Sequence, residues 1–186
     1  LMADAGYPDG FTVKYDARQV GNYPDVCSVV KQQLSDTLGI EGNIATHESA
    51  AGYALFGTSR AGTGDWELAC QGEGMTVLDP DALLGGVYLK GGTRNYTDWE
   101  PEIARTAFEA QKVEQDPAKR QQLLKDYEDF LVPTNPDDIS QGFDDNHWVT
   151  LYWGQFFWLT HEDIRGFNAP ATVQYSFKHE DLWLDR

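Results

Sequence analysis

The 186-residue sequence has few basic side chains, and those it has are scattered. It holds 14 Lys and Arg against 30 Asp and Glu, a formal net charge of −16. Binding to a phosphate backbone needs clustered Lys and Arg, so nucleic acid is disfavoured as a partner. No apolar run approaches the roughly 20 residues of a membrane-spanning helix. Cysteine is scarce. Cys27 and Cys70 form no CxxC pair, and no His pair stands at metal-ligand spacing, so no metal site and no cofactor is expected. The two thiols either join as a disulfide in an oxidising compartment or sit as small buried side chains. The GxSxG elbow and the GxxxxGK[ST] phosphate loop are both missing. What the composition does contain is 41% hydrophobic and 13% aromatic residues, enough for a packed core. The length suits one domain, or one domain and a tail. The surplus acids read as solvated faces that keep the chain soluble.

The chain opens on Leu1-Met2-Ala3-Asp4-Ala5-Gly6, which reads as the last turn of a helix with Gly in the C-terminal cap, so the sequence is expected to be a piece of something longer. Tyr7-Pro8-Asp9-Gly10 is turn chemistry. Phe11 to Asp16 alternates as a strand, and Asp16 to Asn22 reads as a polar loop. Pro24 suits a first helical turn, with Asn22 or Tyr23 as cap. Val26, Val29, Val30, Leu34 and Leu38 follow helical spacing to a stop at Gly39. A weaker strand runs from Ile40 to Thr46. Strand, helix and strand make a βαβ unit, hence a parallel pair. A short helix is expected from Glu48 to Leu55, a flexible loop from Gly57 to Gly64 and a strand from Trp66 to Cys70. Further helices follow over Asp81 to Tyr88, over Glu100 to Glu114 with Ile103, Ala107 and Ala110 on one face, and after Asp116-Pro117 with Leu123, Leu124, Tyr127, Phe130 and Leu131 as the stripe. Pro133 to Asp145 reads as an acidic loop, Trp148 to Trp153 as a strand, and Thr172 to Phe177 as strand-like.

No catalytic group stands out. Asp79 and Asp81 flank Pro80, and Asp144-Asp145 share a loop, but a glycosidase needs two carboxylates across a sugar on separate elements. For Asp79-Pro80-Asp81 the simpler reading is turn and helix-cap chemistry. His47, His147, His161 and His179 are scattered. The aromatic crowd of Trp148, Tyr152, Trp153, Phe156, Phe157 and Trp158 reads first as a strand buried on both sides, and second as rings lining a concave solute site. Polar residues after the parallel strands are the other candidates, because open α/β sheets bind ligands outside the carboxyl ends of their strands. Arg18, Gln19, Asn22 and Tyr23 follow the first strand; Glu73 and Met75 follow the third.

In this order the signals resemble the C-terminal part of the family 5 solute-binding proteins of ABC importers, the oligopeptide, dipeptide and nickel group. The matching pieces are Leu1 to Phe11, Tyr23-Pro24-Asp25-Val26 leading into Leu38-Gly39-Ile40, Trp66-Glu67-Leu68-Ala69, Asp79-Pro80-Asp81, Asn95-Tyr96, Asp116 to Arg120, Arg165-Gly166-Phe167 and Asp181 to Asp185. The resemblance implies an α/β fold, a mainly parallel sheet flanked by helices, as in one lobe of a type II, cluster C-like periplasmic binding protein. Residues 1–160 would form the second lobe, and 161–186 would return toward a first lobe. It further implies a two-lobed clamp, in the periplasm or outside the membrane, that closes on a peptide or other small solute and delivers it to an ABC permease. A membrane anchor would lie in an upstream segment. Peptide binders of the group often carry a Trp, then an Asp three residues later, before the Asp-Pro turn; here Glu73 and Thr76 stand there, which leaves sugars and other solutes open.

The expectation is therefore a binding protein and not an enzyme, with a solute held by Arg18, Asn22, Tyr23, Glu73, Met75, Arg94, Asn95, Tyr96, Trp153 and Phe157. The competing readings are an oligosaccharide-binding member of the same clamp family, a carbohydrate-active enzyme domain, and an interaction module with an exposed aromatic patch.

Overall fold

Apolar and polar residues alternate from Phe11 onward, and the helix that follows stops at Gly39; together they frame the first half of the fold. The computed structural model describes residues 2–74, 79–131, 148–152, 154, 157–168 and 179–185. These fall into two compact units, Leu1–Glu73 and Gly74–Arg186.

The first unit opens on a closed turn. Gly6 N–H donates to Ala3 O (3.0 Å) and Tyr7 N–H to Met2 O (2.9 Å), the two bonds of a Schellman helix end. Strand β1 (Phe11–Thr12) pairs in parallel with β3 (Ile40–Glu41). Strand β2 (Tyr15–Arg18) lies between two parallel neighbours, β4 (Ile44–His47) and β5 (Leu68–Cys70). Helix α1 (Tyr23–Leu38) joins β2 to the second strand pair, so the expected parallel βαβ unit is present.

The two strands read from the sequence are each split. At Gly42 (φ +155°) a Cβ would fall 1.9 Å from Val13 O, an approach that only glycine permits, and both chains leave strand geometry there. The residues expected to begin a polar loop, Asp16 to Arg18, instead finish β2, and all are buried. Helix α1 starts with Pro24 in its first turn and ends on Gly39, whose left-handed φ of +67° lets its N–H reach the Leu34 and Ser35 carbonyls,. Its inward stripe differs from the expected one: Cys27 is fully buried, whereas Val29 and Leu38 are exposed. Val26, Val30 and Leu34 of the expected row are half-buried, and Leu34 packs on the sheet beside Cys27. Cys27 and Cys70 are joined as a disulfide with Cα atoms 5.7 Å apart, within the usual span.

The two sheet faces differ in chemistry. Tyr15, Ala17, Ile44, Leu68 and Cys70 share one face, packed with Cys27 and Leu34 of α1. The alternate residues, Asp16, Arg18 and His47, emerge on the other face, which α2 (Ser49–Gly57) covers. Helix α2 begins where the Glu48 carboxylate accepts the Ala50 and Ala51 N–H groups. At its far end buried Phe56 meets Trp66 edge-on at 5.5 Å.

The second unit is mostly helical. Asp79 caps α3 (Pro80–Leu83) through the Asp81 N–H, as the Asp-Pro-Asp spacing suggested. A π-helical turn over Leu84–Tyr88 follows, then α4 (Glu102–Val113) and α5 (Pro117–Leu131). Leu84, Leu89, Ala104, Ala107 and Tyr127 form the core. The α4 stripe runs through Ala104, Ala107 and Gln111, one position round from the expected Ile103–Ala107–Ala110 row. Strands β6 (Ile164–Arg165) and β7 (Trp183–Leu184) form a short antiparallel ribbon. The strand expected from Trp148 is not formed among the described residues 148–152, where Val149, Leu151 and Tyr152 are each more than half exposed. Among the described residues 148–152 the buried-strand reading is not met. Residues 133–145 and 172–177 lie outside the described set.

Candidate functional site

Candidate site chemistry concentrates at the carboxyl end of the β4-β2-β5 sheet. Parallel register sets Arg18 opposite His47. The β2–β5 register pairs Ala17 with Cys70; carried one residue further, it brings Gln71 level with Arg18. His47, Arg18 and Gln71 thus form a row across three strands on the face away from the disulfide, with Asp16 one pleat behind Arg18.

Arg18 is 6% exposed. Its guanidinium donates to Ser49 Oγ at 2.8 Å, and its Cζ lies 3.6 Å from the centre of the Tyr53 ring and 5.9 Å from that of Tyr23. Both contacts are cation–π in kind. Two glycines make room for this packing. A Cβ on Gly52 would fall 2.7 Å from Arg18 Cγ, and one on Gly72 would fall 2.3 Å from the Tyr23 hydroxyl oxygen. Asp16 is 1% exposed, and its Oδ1 lies 2.6 Å from His47 Nε2. His47 is the only basic side chain that meets Asp16 within ion-pair distance among the described residues; Arg18 meets no carboxylate among them.

Three atoms of this cluster are buried without a hydrogen-bond partner among the described residues: Asp16 Oδ2, Arg18 Nε and Gln71 Oε1. A buried polar group left unbonded costs about 1–3 kcal/mol, and natural proteins keep few of them. One donor and two acceptors are thus left unbonded among the described residues on this face of the sheet.

Of the sequence-predicted residues, Arg18, Tyr23 and Glu73 belong to this edge of the first unit. Asn22 precedes α1, its carbonyl accepting the Val26 N–H. Arg94, Asn95 and Tyr96 lie in the second unit, before α4. Asn95 is 1% exposed and donates through Nδ2 to Trp99 O at 2.6 Å, and Arg94 donates to the Tyr96 hydroxyl at 3.2 Å. Phe157 is 82% exposed. Met75 and Trp153 lie outside the described residues. Sequence reasoning passed over Asp16, His47, Ser49, Tyr53 and Gln71. Alternation carried through Arg18 would have placed Asp16 and Arg18 on one face, and parallel pairing would have added His47. Two shallow hollows elsewhere, one on α5 near Leu124 and Lys125 and one at Pro101 and Phe130, hold no comparable cluster. Among the described residues no group of His, Cys, Asp or Glu is placed to hold a metal ion, and no helix is long and apolar enough to cross a membrane.

No protein-family model matches the chain, and no curated protein matches it in sequence. Solved structures do match in fold. The periplasmic binding protein DppA from Helicobacter pylori, associated with an ABC transporter and solved with the peptide STSA, superposes with a TM-score of 0.60 at 21% identity, over 70% of this chain and 25% of that one. A dipeptide-binding protein from Pseudoalteromonas sp. SM9913, in complex with Met-Leu, gives a TM-score of 0.61 at 17% identity, over 70% and 26%. The binding protein AgaA from A. tumefaciens R10, in complex with agropinic acid, gives 0.55 at 21% identity, again over 70% and 26%. The present chain spans about a quarter of the length of each of these structures. Its fold is the mixed α/β, parallel-sheet arrangement of periplasmic-binding-protein lobes.

Proposed function

We propose that the chain is part of an extracytoplasmic solute-binding protein of an ABC importer, binding a peptide or a related small solute reversibly and without covalent chemistry. The observation that carries this reading is the buried Arg18 at the carboxyl end of the parallel sheet, which meets no carboxylate among the described residues. It is framed by Tyr53 and Tyr23 and lies in the part of an open α/β fold where ligands bind. A guanidinium so placed recognises an anionic or acceptor-rich group. The neighbours in fold are binding proteins solved with a peptide, a dipeptide or agropinic acid, which agrees with it.

In this reading residues 1–160 supply the second lobe of a clamp, and 161–186 lead back toward a first lobe. A permease in the membrane receives the solute. In this reading Asn22 and Glu73 extend the Arg18 site. A single lobe holds half a pocket, so affinity in the isolated chain is weak.

The test is a titration of the isotope-labelled chain with tri-alanine and, separately, maltotriose, followed by NMR. Tri-alanine in the millimolar range is expected to move the signals of Arg18, Tyr23 and Gln71. Movement with maltotriose alone would favour the oligosaccharide alternative, and tight calorimetric binding of either solute would contradict the half-pocket reading.

A further inference from the structure

We propose that α2 is an opening cover over Arg18. It leaves the sheet by local unwinding, and this is the route by which the buried guanidinium becomes accessible. What that access serves rests on the solute-binding reading; the opening itself does not.

The cover is thinly held. Of the nine residues of α2 only Gly52 and Phe56 are fully buried, while Ala50, Ala51 and Ala54 are exposed. The apolar core of the first unit lies on the other face of the sheet, against α1. At the far end of α2, Phe56 meets Trp66 edge-on, and Trp66 Nε1 donates to Phe56 O at 3.2 Å. This end is pinned. The near half rests on Arg18 itself. Ser49 Oγ accepts from the guanidinium at 2.8 Å, and the Tyr53 ring stacks on it with its centre 3.6 Å from Cζ. Gly52 lies against the Arg18 stem, where a Cβ would fall 2.7 Å from Cγ.

The residues beneath gain from opening. Asp16 and Arg18 are 1% and 6% exposed, and Asp16 Oδ2 and Arg18 Nε have no hydrogen-bond partner among the described residues. Water satisfies both atoms once the helix leaves, which offsets the lost stack. Segments with few buried apolar contacts open well below the cost of global unfolding. A nine-residue helix is too short to persist off the sheet, so lifting and unwinding are one event. The ends allow it. At the start, the Glu48 carboxylate caps the helix through the Ala50 and Ala51 N–H groups. Beyond the end, a 3₁₀ turn over Thr58–Ala61 closes on Gly62, whose φ of +70° is left-handed, and residues 62–65 are exposed.

Hydrogen exchange and arginine labelling test the cover. In the native chain the amides of residues 52–56 are expected to exchange about tenfold or more faster than those of α1. Phenylglyoxal, which adds to guanidinium groups, is expected to label Arg18 in the folded chain at a rate set by the same opening. Arg105, with a side chain 45% exposed, is the internal reference, and both sites are read by mass spectrometry after digestion. Glu48→Ala removes the cap and should raise α2 exchange and Arg18 labelling together by about fivefold. Gly57→Ala adds a methyl group where the backbone is helical (φ −62°) and a Cβ meets nothing within 4 Å; it should lower both rates by about two- to fivefold. Exchange in α1 should stay as it was in each variant. Amides of α2 as slow as those of α1 would overturn the proposal, and the native chain alone gives that result where a variant does not fold. Arg18 labelling that ignores both variants while α2 exchange moves would overturn it as well. These measurements contain no solute. An opening α2 with no Arg18 response to tri-alanine would overturn the solute-binding reading and leave the cover in place.

Discussion

Both units bury polar side chains, but they treat them in opposite ways. In the second unit each of the two most buried polar side chains is bonded. Asn95 donates to Trp99 O. Gln111, 1% exposed, donates to Asp81 Oδ1 at 2.6 Å and accepts from Arg120 Nε at 3.0 Å and Nη2 at 2.6 Å. In the first unit Asp16, Arg18 and Gln71 each keep a buried atom without a partner among the described residues, clustered toward the carboxyl end of the central strand. A satisfied buried amide is architecture: it fixes α3 against α4 and α5 and asks for nothing else. Unsatisfied donors and acceptors are a standing cost. The sheet unit packs one face apolar and leaves buried polar atoms unbonded among the described residues on the other, the face assigned to a solute in the proposed reading, whereas the helical unit uses its polar groups for structure.

The largest test of that contrast is the disulfide. Cys27–Cys70 closes a loop with a sequence separation of 43, and it ties α1 to the strand that leads into Gln71. A bridge of that span contributes about 2–4 kcal/mol. If the apolar face and its bridge carry the first unit, reduction should raise amide exchange in β2 and α1 by a matching amount. Exchange in α4 and α5 should stay as it was. Exchange measured by mass spectrometry with and without reductant decides it, and equal acceleration in both units would break the comparison by showing them to be one cooperative body.

The same contrast explains what could be read from the sequence. Punctuation was legible because it is local: Gly39 ends α1, Asp79 and Asp116 cap their helices, and Asp-Pro spacing marks both starts. The parallel βαβ order was legible for the same reason. The interior of the site was not. Asp16 and Arg18 look like loop residues because polar side chains usually leave the sheet, and only their long-range neighbours, His47 and α2, make a buried position tolerable. Tyr53 and Gln71 carry no local signal at all. The expected α1 stripe holds at Leu34, which packs on the sheet, but misses Cys27, because its disulfide partner is 43 residues away and hydrophobic spacing holds no record of that bond. Trp148 to Trp153 read as a buried strand because aromatics favour strands, yet Val149, Leu151 and Tyr152 are each more than half exposed.

A second test sits in the helical core, where one polar atom breaks the rule. Tyr127 is 2% exposed, its hydroxyl has no hydrogen-bond partner among the described residues, and burial, with Tyr88 nearby, pushes that hydroxyl far above its ordinary range. Its ring is well placed, edge-on to Tyr88 at 5.6 Å and stacked on Phe130 at 6.4 Å. Tyr127→Phe keeps those contacts and removes the unbonded hydroxyl, so it should stabilise the second unit by about 1 kcal/mol, seen as slower exchange in α4 and α5. An equivalent loss of stability would show that the hydroxyl is bonded in solution and that the helical unit has no exception. Removing the Arg18 Nε by Arg18→Met should go the other way and weaken the first unit, because Tyr53, Tyr23 and Ser49 lose their shared partner.

The smallest effect concerns the clamp that ends the second unit's polar network. Arg120 donates to Asp79 Oδ1 at 2.7 Å, and this bond, followed by the one from the Asp81 N–H, holds the Asp79 carboxyl below its ordinary value. A depressed carboxylate contributes stability above its unfolded value and loses it as pH falls through the folded one. The contribution of Asp79 is therefore present at neutral pH and fades below about pH 4. The side chains are 30% and 44% exposed, so water and salt screen the pair and its share is small. Arg120→Met should speed exchange at the Ala82 amide, which donates to Asp79 O, by about two- to fivefold at neutral pH, and by less in acid or in concentrated salt. The Asp16–His47 row should not respond to this change. If exchange in β2 moved with that of Ala82, the polar networks of the two units would be coupled, and the division between a network that holds structure and a cluster proposed to meet a solute would have to be redrawn.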